Sequence, residues 1–202
     1  MSFGDMLNKQ QPIQEIATYL NSLSHQNRLA ECRSLSSKQL KQLYDVAATA
    51  EPLDLSHFVP AETAKQQEMI HFGLNSMPLP KVFTVFQKRF CIPPNRQDCL
   101  FGYNHGATTK AFGPGYFVAK NTAGNPDWEK RGGVVIDYFE IPDEATADGW
   151  PKVVPNSRGL QIFVYHKMRD FMRKVSDHVS IGIPYKGNKA MGVRFILCRS
   201  DD

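Results

Sequence analysis

The residue types best suited to chemistry in this sequence lie together in the segment Gly102-Tyr103-Asn104-His105-Gly106. A histidine can serve as a general base, and a neighbouring tyrosine or asparagine can donate a hydrogen bond to a polarised oxygen. The flanking glycines would let a ligand approach the backbone closely. The same residues also suit a plain turn, in which Asn and Gly adopt left-handed conformations and His105 is exposed. The sequence alone leaves both interpretations open.

Strand alternation predicts which of these side chains point the same way. If a strand continues through the segment, Phe101, Tyr103 and His105 share one face and Asn104 lies on the other. Because Phe101 is expected in the core, we expect that shared face to point inward. His105 is therefore the principal candidate for a site residue, at a strand end where scaffolds often present reactive groups.

His166 is the second candidate for proton transfer, facing the same cavity as His105. An alternative structural interpretation pairs His166 with Asp170 one turn along a helix. Aromatic residues make up 11% of the chain, and most follow residue 80, so they would form a core or line an apolar cavity. The predicted ligand-binding residues are Tyr103, Asn104, His105, Trp150, Tyr165 and Met168.

No cofactor is indicated by a sequence motif. Cys91, Cys99 and His105 lie close in the sequence, but their spacing matches no common zinc module, so no metal site is predicted. Neither a G-x-G-x-x-G motif nor a P-loop occurs, which leaves nucleotide cofactors without support. The identity of any other cofactor stays unknown.

Composition indicates a globular protein. The 202 residues are 42% hydrophobic and 22% charged, with a net charge of +4. That charge is too small for a nucleic-acid-binding face, and no run of residues is apolar enough for a membrane span. No signal peptide is evident and the four cysteines form no paired framework, so we expect a cytoplasmic protein.

The chain is predicted to divide into an N-terminal helical segment, 1–58, and an α+β body, 59–202. In the first part, Ser36 and Gln39 form a capping box that opens a helix. In the body, a similar spacing predicts a helix over about 62–72. Residues 81–92 fit a helix or a strand, and a helix is favoured because it places Lys88 and Arg89 on one polar side.

Short β-rich runs then follow, separated by Gly, Asn and Pro, and predict an antiparallel sheet. A long loop over 141–158 carries Trp150. Apolar residues spaced by three and four predict a long amphipathic helix over 159–176. The predicted fold class is thus α+β, with a curved antiparallel sheet packed on that helix.

The sequence is consistent with three functions. The first is a binding protein for a hydrophobic or amphipathic small molecule, held between sheet and helix under the 141–158 loop. The second is an enzyme that uses histidine-centred acid–base chemistry in the same cavity. The third is an interaction module whose N-terminal helices bind a partner or a second copy in a homodimer.

Overall fold

The computed structural model describes residues 1–107 and 109–201. The N-terminal part is helical, as predicted, and the capping box of Ser36 and Gln39 is confirmed at the start of the fourth helix. The helices are α1 (Phe3–Asn8), α2 (Ile13–Asn21), α3 (His25–Ser34) and α4 (Ser37–Val46), followed by 3-10 turns at Ala47–Thr49 and Leu55–His57.

The remainder of the chain is built from strands and single helical turns. The strands are β1 (Met69–Asn75), β2 (Val85–Cys91), β3 (Cys99–His105), β4 (Phe117–Asn121), β5 (Val134–Asp137), β6 (Met168–Lys174), β7 (Val179–Lys186), β8 (Lys189–Ala190) and β9 (Phe195–Arg199). The single turns are α5 (Lys81–Thr84), α6 (Thr109–Phe112), α7 (Pro126–Glu129) and α8 (Gln161–Val164).

Eight of the strands close into an antiparallel barrel. From β1 to β7 each strand pairs with the next one along the chain, β7 pairs with β9, and β9 returns to pair with β1. The two-residue strand β8 pairs only with β7 and stands outside the ring. The predicted antiparallel pairing is confirmed, but the predicted curved sheet packed on one long helix is wrong, because the sheet closes on itself into a barrel.

The predicted long helix over 159–176 is also wrong. The segment forms only the single turn α8 and then the barrel strand β6. Phe171 and Met172 point to opposite faces of β6, yet both are fully buried because this wall is covered inside and outside. Apolar residues on both faces conceal the two-residue period of the strand, so the spacing resembles that of a helix.

Two smaller helix predictions fail for related reasons. The helix predicted over 62–72 is absent, and β1 begins within that range at Met69. The helix favoured over 81–92 is limited to α5, because residues Val85–Cys91 form β2. In β2 the side chains of Phe86, Lys88 and Phe90 share the inner face of the barrel.

The outer wall of the barrel is covered in two places. The apolar sides of α1 to α4 pack against β1, β7 and β9. The long loop 141–158 places Ala147 and Trp150 over the outer side of β2, β3 and β4, where Phe101 and Val118 are buried. Covered walls explain why strands of this barrel are apolar on both faces.

Candidate functional site

The interior of the barrel is filled at one end and hollow at the other. A cavity of about 420 Å³ opens at the end where β1, β3, β5 and β7 finish. An eight-stranded barrel is just wide enough to be filled by side chains or to hold one small ligand. Most of the cavity wall is apolar, with contributions from Phe86, Tyr165, Met168 and Phe195.

A buried lysine lies in the wall of this cavity. Lys88 is only 2% exposed, and its Nζ lies 3.1 Å from Oδ2 of Asp170. The same ammonium group donates a 2.9 Å hydrogen bond to Oδ1 of Asn104 and a further one to the hydroxyl of Tyr138. An ammonium group has three protons, so these three acceptors satisfy all of its donor capacity.

The acceptors are themselves linked. The Tyr138 hydroxyl donates to Oδ2 of Asp170 over 3.2 Å and accepts from Nδ2 of Asn104 over 3.1 Å. The Asn104 amide also donates to the carbonyl oxygen of Gly115 over 2.9 Å. We call Lys88, Asn104, Tyr138 and Asp170 the lysine cluster. It is a connected polar network within an apolar barrel, and its one positive and one negative charge cancel.

Aromatic rings surround the lysine nitrogen. Lys88 Nζ lies 5.0 Å from the ring centre of Phe117, 5.1 Å from that of Tyr138 and 5.2 Å from that of Phe195. Phe86 contributes a fourth ring at 5.8 Å. The faces of these rings attract a cation, an effect that is strongest where water is excluded.

Glycines in the neighbouring strands make room for three of these rings. Each phenylalanine lies directly across the sheet from a glycine: Phe86 from Gly73, Phe117 from Gly102 and Phe195 from Gly182. At each glycine an added Cβ would collide with the opposite ring. The glycines therefore determine how closely the rings approach the barrel wall around Lys88.

Burial shifts the acid–base properties of the site. Loss of water around Lys88 lowers the pKa of its ammonium group, and the neighbouring Asp170 carboxylate opposes part of that shift. Burial raises the pKa of Tyr138 well above its usual value, with Asp170 adding to the effect. For the same two reasons the pKa of Tyr165 rises to about 12. Both tyrosines therefore stay protonated, and Tyr138 donates its hydroxyl proton to Asp170.

The structure brings four of the predicted site residues to the cavity. Asn104 belongs to the lysine cluster, and Tyr165 stacks on the ring of Tyr138 with 5.4 Å between the ring centres. Met168 lines the wall, and His105 lies exposed at the mouth. The protein atoms that surround part of the His105 ring remove some of its water and lower its pKa, and the nearby positive charge of Arg89 lowers it further.

The other three predicted site residues lie elsewhere. Tyr103 and Trp150 contact each other on the outer wall, with ring centres 4.9 Å apart, and Trp150 donates a hydrogen bond to Glu68. His166 lies in the turn between α8 and β6, apart from the residues that line the cavity. The expected inward direction of Tyr103 is wrong: Asn104, of the opposite parity, points into the barrel.

Sequence reasoning missed Lys88, Tyr138 and Asp170. A strand interpretation would have pointed to both charged residues, because Lys88 alternates with Phe86 and Phe90, and Asp170 alternates with Met168 and Met172. A charge that shares a strand face with apolar neighbours is a buried charge. The helix predictions instead assigned both residues to solvated faces.

Neither known proteins nor metal chemistry identifies the site. No family model, curated protein or solved structure matches the chain. Within residues 1–107 and 109–201, no three His, Cys, Asp or Glu side chains are grouped to hold a metal ion. No helix in the same part of the chain combines the length and the apolar character required to cross a bilayer.

Proposed function

We propose that this protein binds an amphipathic small molecule inside its barrel, with the apolar part along the cavity wall and the polar head against the lysine cluster. The supporting observation is the combination of a cavity of about 420 Å³ with one polar network in its wall. Ligand sites are typically apolar clefts of about 300–1,000 Å³ with a few polar groups that orient the ligand. We propose a position within the barrel because residues 159–176 form the turn α8 and the strand β6, and not the long helix that was expected to hold a ligand against the sheet.

The charge balance of the cluster favours an uncharged head group. Lys88 and Asp170 already neutralise each other, and the three protons of the ammonium group are engaged. A ligand carboxylate would bring an unpaired negative charge to a buried cluster in a mostly apolar wall, which is strongly unfavourable. A hydroxyl head carries no charge and, unlike a carboxylate, has a proton to donate to the oxygen atoms of Asn104 and Tyr138, so it avoids that penalty.

The test is displacement of the fluorescent probe anilinonaphthalene sulfonate by two ligands of equal chain length, n-decanol and n-decanoate. We expect n-decanol to bind at least about tenfold more tightly, a difference of about 1.4 kcal/mol. Equal affinities, or preference for the carboxylate, would contradict the assignment of a neutral head. Failure of both ligands and the probe to bind would contradict the proposed function itself.

Two tyrosines provide a matched pair of variants. Tyr138→Phe removes a hydroxyl inside the barrel, whereas Tyr116→Phe removes a buried hydroxyl that donates to the Pro151 carbonyl on the outer wall. Only Tyr138→Phe is expected to weaken n-decanol binding. An equal loss in both variants would attribute the effect to stability instead of ligand contact.

A second candidate function, an enzyme acting on a carbonyl compound, is favoured by the lowered pKa of Lys88 and the carboxylate beside it. Asp170 would accept a proton from the ammonium group, and the neutral amine would add to the carbonyl carbon. As the carbinolamine forms, one amine proton would move to the carbonyl oxygen. The hydroxyl would then leave as water with the proton taken back from Asp170, which leaves a protonated imine beside the Asp170 carboxylate.

This candidate has a separate test. Incubation with n-decanal and sodium cyanoborohydride would convert such an imine into a stable decyl amine, which peptide mass spectrometry would locate. Labelling of Lys88 faster than exposed Lys186, and absent in Lys88→Arg, would support the enzyme. Labelling of surface lysines alone would leave Lys88 as a structural and ligand-orienting group.

The predicted interaction module and homodimer receive less support from the structure. The apolar stripes of α1 to α4 are buried against the barrel, and Met1 is the one exposed large apolar side chain within residues 1–58. A cytoplasmic location stays part of the proposal. It is supported by four free, buried cysteines, as expected in a reducing compartment.

A further inference from the structure

The cavity mouth is surrounded by exposed apolar side chains. The structure exposes ten large apolar side chains among the residues that it describes, and eight of them lie in three segments around the mouth. They are Met77, Leu79, Val82, Phe83, Leu160, Ile162, Phe163 and Met191. Phe163 is 75% exposed. Such concentration distinguishes a binding surface from the scattered apolar residues of an ordinary surface.

The same rim carries positive charge alone. We call the segments 76–84, 106–107, 109–112, 158–167 and 186–194 the collar. The collar contains seven of the chain's 24 Lys and Arg residues and none of its 20 Asp and Glu residues. The seven are Lys81, Lys110, Arg158, Lys167, Lys186, Lys189 and Arg194. In the described parts of the chain, none of them forms a salt bridge.

We infer that the collar docks on the surface of a membrane that contains anionic lipids. Exposed phenylalanine, leucine and isoleucine side chains would enter the boundary between head groups and acyl chains, while the lysines contact anionic head groups. A protein partner of this chemistry would need an acidic apolar face, whereas an anionic bilayer supplies both properties over the whole width of the collar.

Docking in this orientation would place the cavity mouth against the bilayer. An amphipathic molecule could then pass from the membrane into the barrel without crossing water. This transfer rests on the proposed function, but the docking surface does not, because vesicle binding is measured without a cavity ligand. The two ideas can therefore fail separately.

The experiment is co-flotation of the whole protein with two kinds of vesicle. One is pure phosphatidylcholine, and the other contains about 30% phosphatidylserine, a composition typical of an anionic surface. We expect at least about tenfold tighter binding to the anionic vesicles, and weaker binding as salt is raised. Equal binding to both vesicles, or none to either, would overturn the inference.

Charge variants test the orientation. Lys186→Glu with Lys189→Glu reverses two exposed charges of the collar, and Lys65→Glu with Lys130→Glu makes the same change on exposed residues outside it. Each basic residue near an anionic surface strengthens binding by about fivefold. The collar pair should therefore lose at least about 25-fold, and the control pair much less. Equal losses of vesicle binding in the two pairs would show that the membrane attracts the net charge of the protein and not the collar in particular.

Apolar variants test insertion. Phe83→Ser with Phe163→Ser removes two exposed rings of the collar, and Phe139→Ser removes an exposed ring elsewhere. Only the first variant should lose vesicle binding, and its far-ultraviolet circular dichroism should match that of the unmodified protein. Light scattering tests whether a second copy of the protein covers this face instead. If the protein is a dimer, if the collar variant abolishes that dimer and if neither protein binds vesicles, the collar is a dimer interface and the inference is overturned.

Discussion

The two ends of the barrel differ in packing and in charge. At the filled end, Leu53, Phe58 and Val59 enter the barrel and pack against Met69 and Phe90. The connections at that end, 47–68, 92–98, 122–133, 175–178 and 200–201, hold nine Asp and Glu against four Lys and Arg. The open end has a cavity and a basic, apolar collar. The filled end thus has the packing of a stabilising core, and the open end is where we propose that a ligand binds.

Buried titratable groups also differ between the two ends in the number of their hydrogen-bond partners and in their charge. His71 at the filled end has a single hydrogen bond, 2.9 Å from Nε2 to the carbonyl oxygen of Phe58, and burial lowers its pKa to about 3. Lys88 near the open end is held by a carboxylate and two further acceptors. A neutral imidazole can be buried with a single hydrogen bond, whereas a charged ammonium group requires a carboxylate and further acceptors.

The largest effect is expected from the filled end. Phe90→Ala removes a fully buried ring that packs on Phe58 at 5.0 Å and on Phe117 at 5.3 Å between ring centres. Its free energy of unfolding should fall by about 3–5 kcal/mol, from lost burial and the remaining cavity. Urea denaturation measures this change, and a loss below about 1 kcal/mol would show that the filled end is not the stabilising core.

Next in size is the removal of the buried ammonium group. Lys88→Met leaves Asp170 buried without its partner, which should cost about 3 kcal/mol or more. Adding Asp170→Asn to Lys88→Met should restore part of that loss, because no unpaired charge then remains. Denaturation of the two single variants and the double variant measures the coupling, and strictly additive losses would contradict a cluster that acts as a unit.

A fall in pH should lower the free energy of unfolding because of two buried histidines at the filled end. Burial lowers the pKa of both His57 and His71, with their mutual repulsion adding to the effect on His57. The unfolded chain therefore binds protons below pH about 6.5 that the folded protein excludes, so stability is lost as pH falls towards about 3. Between pH 7 and pH 5 the protonation of His71 in the unfolded chain alone should cost about 2 kcal/mol of stability.

Urea denaturation at both pH values checks this sign, with His71→Asn as the variant that no longer titrates. That variant should lose the contribution of His71, about 2 kcal/mol between pH 7 and pH 5. Stability that rises on acidification in this range would contradict the assignment of neutral histidines.

The smallest effect is expected at the collar. Phe163→Ala changes a ring that is 75% exposed, so the free energy of unfolding should move by no more than about 0.5 kcal/mol. Thermal denaturation compares this variant with Phe90→Ala directly. A large loss of stability would show that Phe163 packs in the core and would remove it from the docking surface.

The features that could be predicted from the sequence are those that neighbouring residues determine. The strands with turn residues between them, and the helices of the N-terminal segment, follow local rules and are confirmed. Barrel closure depends on pairing between β9 and β1, which are more than a hundred residues apart, and no local pattern records it. The predicted site includes Asn104 and Met168 but misses Lys88, because a helix places that lysine in solvent.

The measurement that tests the central claim most directly is nuclear magnetic resonance on the protein with bound n-decanol. Isotope-filtered nuclear Overhauser effects report which labelled methionine methyl groups lie beside the alkyl chain. We predict contacts to the methyl group of Met168, which lines the cavity, and none to Met6, which is buried among the N-terminal helices. Contacts to Met6, or none to Met168 at saturating ligand, would contradict binding within the barrel.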